Sequence, residues 1–215
     1  MFPRVLYINL QKFCAMDEKL KAILIRVYKL YNKFGIKSIT MDDVAREMGI
    51  SKKTLYQCVK DKSELVEKVV FFNTIHHREL IYKIVAEKHN AIEELLKVNI
   101  YMNVMLKEQN PTLDYDLKKY YPEIYFKLMD ESRKRMYEAI RENLIKGQKE
   151  GLYRDNLDVD IISQLHMTRL EYKYSSESFT ITELNSEKTM KEIFTYHLHG
   201  IASEKGLKVL KKIKD

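Results

Sequence analysis

The stretch from Ile39 to Leu65, ITMDDVAREMGISKKTLYQCVKDKSEL, constrains the fold of this chain more than any other. Thr40 fits the N-cap of a helix whose first turn carries Asp42 and Asp43, where the helix dipole favours anions. Val44, Ala45 and Met48 give that helix a buried stripe, and Gly49 ends it. Ser51 caps the next helix, with Leu55 and Val59 facing inward. Asp61 or Ser63 then opens a further helix that buries Leu65, Val66 and Val69. Two short helices joined by a tight glycine turn are a helix-turn-helix, and they need a third element to cover them. The segment from Asp17 to Phe34 supplies it: Leu20, Ile23, Leu24, Val27, Leu30, Tyr31 and Phe34 recur at the spacing of one helical face, and Gly35 follows as a stop.

Beyond Val70 the same periodicity lengthens. The spacing predicts helices near 62–88, 91–108, 112–120, 122–149, 158–173 and 186–212. Asn90 serves as an N-cap, Asn110-Pro111 as a break, and Pro122 as a first-turn residue. In the long helix Ile124, Leu128, Met136, Ala139, Ile140, Leu144 and Ile145 share a face, and Gly151 stops it. LYRDNLDVD reads as a loop, with Asp158 or Asp160 starting the helix after it, and Ser175 to Asn185 as a polar connection. Only six glycines and three prolines interrupt 215 residues. The expected class is therefore all-α: an N-terminal three-helix head with the helix-turn-helix, and a larger C-terminal helical body.

Residues 1–16 read as an N-terminal extension, with Met16 as an alternative start. They make a poor signal peptide, because Asn9, Gln11 and Lys12 interrupt the apolar patch. No apolar run approaches the ~20 residues that span a bilayer. Cys14 and Cys58 have neither metal nor disulfide spacing, which fits a reducing cytoplasm and no membrane partner.

Charge and residue type give the helix-turn-helix its chemistry. Residues 1–70 carry 14 Lys/Arg against eight Asp/Glu, whereas residues 71–215 carry 24 against 23. The basic excess lies at the head, as expected of an end that meets a polyanion. A helix-turn-helix works by laying its second helix in the major groove with the first turn against base edges. Ser51, Lys52, Lys53 and Thr54 occupy that turn, and Tyr56 and Gln57 can project from the exposed side. Gln57 is able to bond adenine bidentately. Thr40, Lys60 and Lys62 are natural phosphate contacts. Double-stranded DNA is the expected partner.

The order GIKSITMDDVAREMGISKKTLYQCVKDKSELV resembles the head of the tetracycline-repressor (TetR) family of transcriptional regulators. The resemblance rests on Phe34-Gly35, Thr40, Val44-Ala45, Gly49, Ser51, Leu55-Tyr56, Lys62 and Leu65. It implies that Thr40, Tyr56 and Lys62 anchor phosphates, while Lys52, Lys53, Thr54 and Gln57 read bases. One departure is that Cys58-Val59 stands where the family commonly has His-Phe, so the resemblance does not carry over the phosphate contact often made by that histidine. Cys58 itself reads as a small, partly buried residue.

The rest of the chain has no catalytic constellation, phosphate loop or metal-ligand spacing. An enzyme is not expected, nor a metal or cofactor site. Tyr101, Met102, Met105, Tyr121, Tyr125, Met129 and Tyr137 are candidates to line a pocket for a small apolar or aromatic ligand. Most of that expectation comes from the resemblance. Ile162 and Leu165 in one late helix, and Ile193, Phe194, Leu198 and Ile201 in the last, are candidates for a homodimer interface. Together these divide the chain into residues 1–16, a DNA-binding domain at 17–65, and an effector-binding and dimerisation domain at 66–215. The function implied is a cytoplasmic repressor that binds a palindromic operator and is released by a ligand. The alternative is a regulator of the same fold with no small-molecule effector, controlled by a protein partner.

Overall fold

A computed structural model describes residues 18–172 and 187–214. The N-terminal extension, Cys14 and the polar connection at Ser175–Asn185 lie outside the described residues. Those residues form ten helices: α1 (Glu18–Phe34), α2 (Met41–Met48), α3 (Lys52–Cys58), α4 (Lys62–Ala86), α5 (Ala91–Glu108), α6 (Pro111–Tyr120), α7 (Pro122–Lys149), α8 (Val159–Tyr172), α9 (Glu187–Ile201) and α10 (Glu204–Lys214). The fold is all-α.

Local chemistry sets most of the boundaries. Thr40 and Asp43 form a capping box on α2: the Thr40 hydroxyl accepts the Asp43 N–H, and Asp43 accepts the Thr40 N–H. Gly49 ends α2 at φ +65°, and the N–H groups of Gly49 and Ile50 turn back onto Arg46 and Ala45 carbonyls. Ser51 accepts the Thr54 N–H at 3.1 Å and caps α3. Asp61 receives the Glu64 N–H at 2.8 Å, which makes it the cap of α4. Asn90, Asn110 and Asp158 cap α5, α6 and α8 in the same way.

The chain packs as two compact units. The first contains residues 18–84 and 101–129. Its core joins Leu24, Val27 and Tyr31 of α1 to Val44 of α2, Leu55 of α3, Val66 and Val69 of α4, and Leu113 and Leu117 of α6. Phe34 departs from the expected inward face: at the last residue of α1 it is 48% exposed, and the Lys33 ammonium lies 4.9 Å from its ring centre. The second unit contains residues 85–100, 130–172 and 187–214, with a core of Ala91, Ile92, Leu144, Tyr153, Phe194 and Leu198.

A buried polar cluster organises the second unit. Asn143 donates to the Ala91 carbonyl at 3.0 Å and to Glu94 at 2.9 Å. Lys146 donates to Glu94 and to the His89 carbonyl, both at 2.7 Å. The Tyr153 hydroxyl donates to Asn143 Oδ1 at 3.1 Å, while its ring lies on Gly147. The charges are thus paired and bonded as burial demands.

The expected single helix at 186–212 is instead two, α9 and α10. The turn between them pairs with the loop after α7. Tyr153 and Ala202 form an isolated antiparallel bridge, the Arg154 N–H donates to the Ile201 carbonyl, and the Ser203 N–H donates to that of Leu152. Ser203 then caps α10 by accepting the Gly206 N–H at 3.1 Å. These non-local bonds replace the intrahelical ones that a continuous helix would make.

Candidate nucleic-acid interface

Helix α3 is seated by two side chains. Leu55 is fully buried and Val59, just past its end, is 3% exposed. Because residues three and four apart share a helical face, that seating turns Lys53, Tyr56 and Gln57 outward together. All three are exposed. They form a stripe of one cation, one phenol and one carboxamide on a short rigid helix.

The neighbouring candidates are engaged in different ways. Ser51 and Thr54 hold each other, their hydroxyls 2.8 Å apart, and Thr54 is half-buried. Lys52 is paired with Asp42 of α2 at 2.5 Å, an exposed pair that holds the ammonium above its usual range through that hydrogen bond. Such a pair contributes little to stability and exchanges readily for another anion. Thr40 is exposed, yet its hydroxyl proton lies toward Asp43 Oδ2 at 2.6 Å and its N–H toward the same carboxylate. Those two bonds hold the Asp43 carboxyl below its usual range. The Thr40 hydroxyl and N–H are therefore both committed to its capping box.

Lys60 is exposed at the exit of α3, and its N–H donates to Glu64. Lys62 is half-buried at the start of α4, where its ammonium donates to the Lys37 carbonyl at 3.4 Å. Burial pulls it below its usual range, against the opposing charges of Asp116 and Asp43. Cys58 is half-buried, and its carbonyl accepts from Lys68 at 2.8 Å. Periodicity gave no sign that Lys37 belongs to this neighbourhood, since it lies in the turn between α1 and α2.

The pocket candidates divide between the units. Tyr121, Tyr125 and Met129 pack against the core of the first, and Tyr101 is hydrogen-bonded to His77 Nδ1. Met102 and Met105 are half-buried in the same unit. Tyr137 belongs to the second unit, where its hydroxyl lies 3.3 Å from Asp160. Among the interface candidates, Phe194, Leu198 and Ile201 need correction. They are 6%, 3% and 3% exposed and form this chain's own core, covered by Leu144, Leu152 and Tyr153. Ile162 and Ile193 are half-buried. Leu165 is 60% exposed and shares its outward face with Ile161.

No family model matches the chain. A helix-turn-helix-type transcriptional regulator of Bacillus subtilis is 25% identical over 187 residues, 86% of this chain and 96% of that protein. Another, from Staphylococcus aureus, is 32% identical over 88 residues, so the match spans 40% of this chain and only 46% of that relative's length. A solved TetR-family regulator from Agrobacterium tumefaciens superposes with a TM-score of 0.61 at 15% identity, covering 86% of this chain and 98% of that one. The chain has the TetR-family fold. In that fold, α1, α2 and α3 form the three-helix head with the helix-turn-helix.

Proposed function

We propose that this chain is a sequence-specific, DNA-binding transcriptional regulator, a repressor released from its operator by a small apolar or aromatic ligand. The observation that carries the reading is the outward stripe of Lys53, Tyr56 and Gln57 on a helix seated by Leu55 and Val59. The basic excess of residues 1–70 and the likeness to helix-turn-helix-type regulators support it. Lys52, Lys53, Thr54 and Gln57 take the base-reading role. Thr40, Ser51, Tyr56, Lys60 and Lys62 hold the backbone. Contacts of this kind orient the protein, and base contacts then select the sequence.

The test is selection from random duplexes by the purified protein. The expected product is an inverted repeat with half-sites about 34–36 Å apart, one turn of the double helix. A protein that enriches no sequence sinks the reading. For the ligand, a thermal-shift screen with apolar and aromatic compounds is expected to find at least one that also weakens DNA binding. Failure of every compound favours control by a protein partner.

The operator's symmetry calls for a homodimer, and the exposed face of α8 suits it better than the buried residues of α9. Ile161 and Leu165 are 61% and 60% exposed, and Tyr196 of α9 is 83% exposed. The double substitution Ile161→Asp/Leu165→Asp is expected to yield a folded monomer in analytical ultracentrifugation, with operator binding weakened by about 100-fold. An unchanged dimer would remove this face from the interface.

A further inference from the structure

The turn between α1 and α2 meets the end of α6 inside the first unit, and the side chains there are cationic and aromatic. The Lys37 ammonium donates to the Tyr120 hydroxyl at 3.0 Å and lies 4.8 Å from that ring's centre. Lys119 Nζ lies 5.4 Å from the centre of the same ring and 5.1 Å from that of Tyr115, donating to the Tyr115 hydroxyl at 2.7 Å. Lys37, Tyr115, Lys119 and Tyr120 are all exposed. Asp116, by contrast, is 6% exposed, and one of its oxygens already accepts the Lys37 N–H at 2.9 Å. The two exposed lysines thus meet at one aromatic ring, while that carboxylate is turned into the protein. The Lys37 ammonium holds the Tyr120 phenol below its usual range, which marks the local potential as positive.

This patch adjoins the proposed DNA contacts. The Lys37 carbonyl accepts the Lys62 ammonium. Lys37 is three residues from Thr40, a reach of about 10 Å at most along the chain. That length corresponds to about three nucleotides of one DNA strand. We infer that Lys37 and Lys119, gathered at the Tyr120 ring, form a second phosphate-backbone contact beside Thr40 and Lys62, one that α6 helps to build and that is indifferent to base sequence. The inference rests on the DNA-binding reading above. Its chemistry suits a polyanion: two cations over aromatic faces, with no carboxylate paired to either ammonium among the described residues, give up little on meeting phosphate. Because α6 carries Lys119 and Tyr120 and holds the turn through Asp116, a shift of α6 would alter DNA affinity without touching a base.

The test compares the full-length Lys37→Gln/Lys119→Gln variant with the unaltered protein by fluorescence anisotropy across a salt series. Both a selected duplex and a random-sequence duplex are used. Two lost phosphate contacts per protomer, four in the homodimer, should reduce the slope of log K against log salt by about 4. The loss should be the same on both duplexes, with binding near 50 mM salt weakened roughly tenfold or more and the melting temperature unchanged. A control pair on α10, Lys208→Gln/Lys211→Gln, should leave the slope as it was. An unchanged slope for the Lys37/Lys119 variant overturns the inference while leaving the regulator reading intact. If the protein binds duplex without sequence preference, that reading fails, yet the slope difference still supports the patch. A protein that binds no duplex overturns both.

Discussion

Gly147→Ala is expected to destabilise the second unit by about 3 kcal/mol, the upper part of the range for overpacking a core. An added Cβ would lie 2.0 Å from Tyr153 Cδ2 and 2.3 Å from its Cε2. The ring cannot swing aside cheaply, because Tyr153 is 1% exposed and its hydroxyl is bonded to Asn143 and to the Ala91 carbonyl. Moving it would also disturb the bonds of Asn143 to Glu94, and a buried carboxylate that loses partners carries a further penalty. A urea titration followed by circular dichroism reads the effect as a lower midpoint. A variant as stable as the parent would mean that the ring does not pack on Gly147. Tyr153→Phe, which keeps the ring and deletes only the hydroxyl, should destabilise by about 1–2 kcal/mol, separating the steric part from the polar one.

The second large effect concerns DNA. The Lys53→Ala/Gln57→Ala variant should bind the selected duplex on the order of 100-fold more weakly, since a good base contact contributes about 1–3 kcal/mol of discrimination and 1.4 kcal/mol is tenfold in affinity. Folding should be unaffected, because both side chains are exposed while Leu55 and Val59 hold the helix. Loss of Gln57 should also broaden the sequences recovered in selection. This pattern differs from that of the Lys37/Lys119 patch, whose removal should weaken selected and random duplexes alike. A double variant that retains full affinity and selectivity would remove α3 from the reading role.

The head was legible in the sequence because its determinants are local. A free first-turn N–H must find an acceptor within a few residues, so Thr40 with Asp43 and Ser51 with Thr54 mark helix starts in any context. Gly49 marks the stop because a left-handed residue follows α2. Leu55 and Val59 could be assigned inward since helical spacing leaves them one side to occupy.

The late helices were less legible for the opposite reason. Apolar residues at helical spacing define a face without saying what covers it. Phe194, Leu198 and Ile201 make a sound dimer stripe on paper, and in the fold they are covered by Leu144, Leu152 and Tyr153 of the same chain. The stop at Ile201 is equally non-local, since its carbonyl is taken by Arg154 across 47 residues of sequence.

What the sequence by itself determined is the set of helices in the head, their caps, the outward stripe of α3 and the concentration of basic charge around it. Each follows from interactions within one or two turns of helix or from composition. Only the tertiary structure decided that Asp42 meets Lys52, that Lys37 meets Tyr120, that Gly147 must stay small and that α9 and α10 are separate. Those facts depend on residues distant along the chain arriving at the same place, and neither helical periodicity nor capping carries that information.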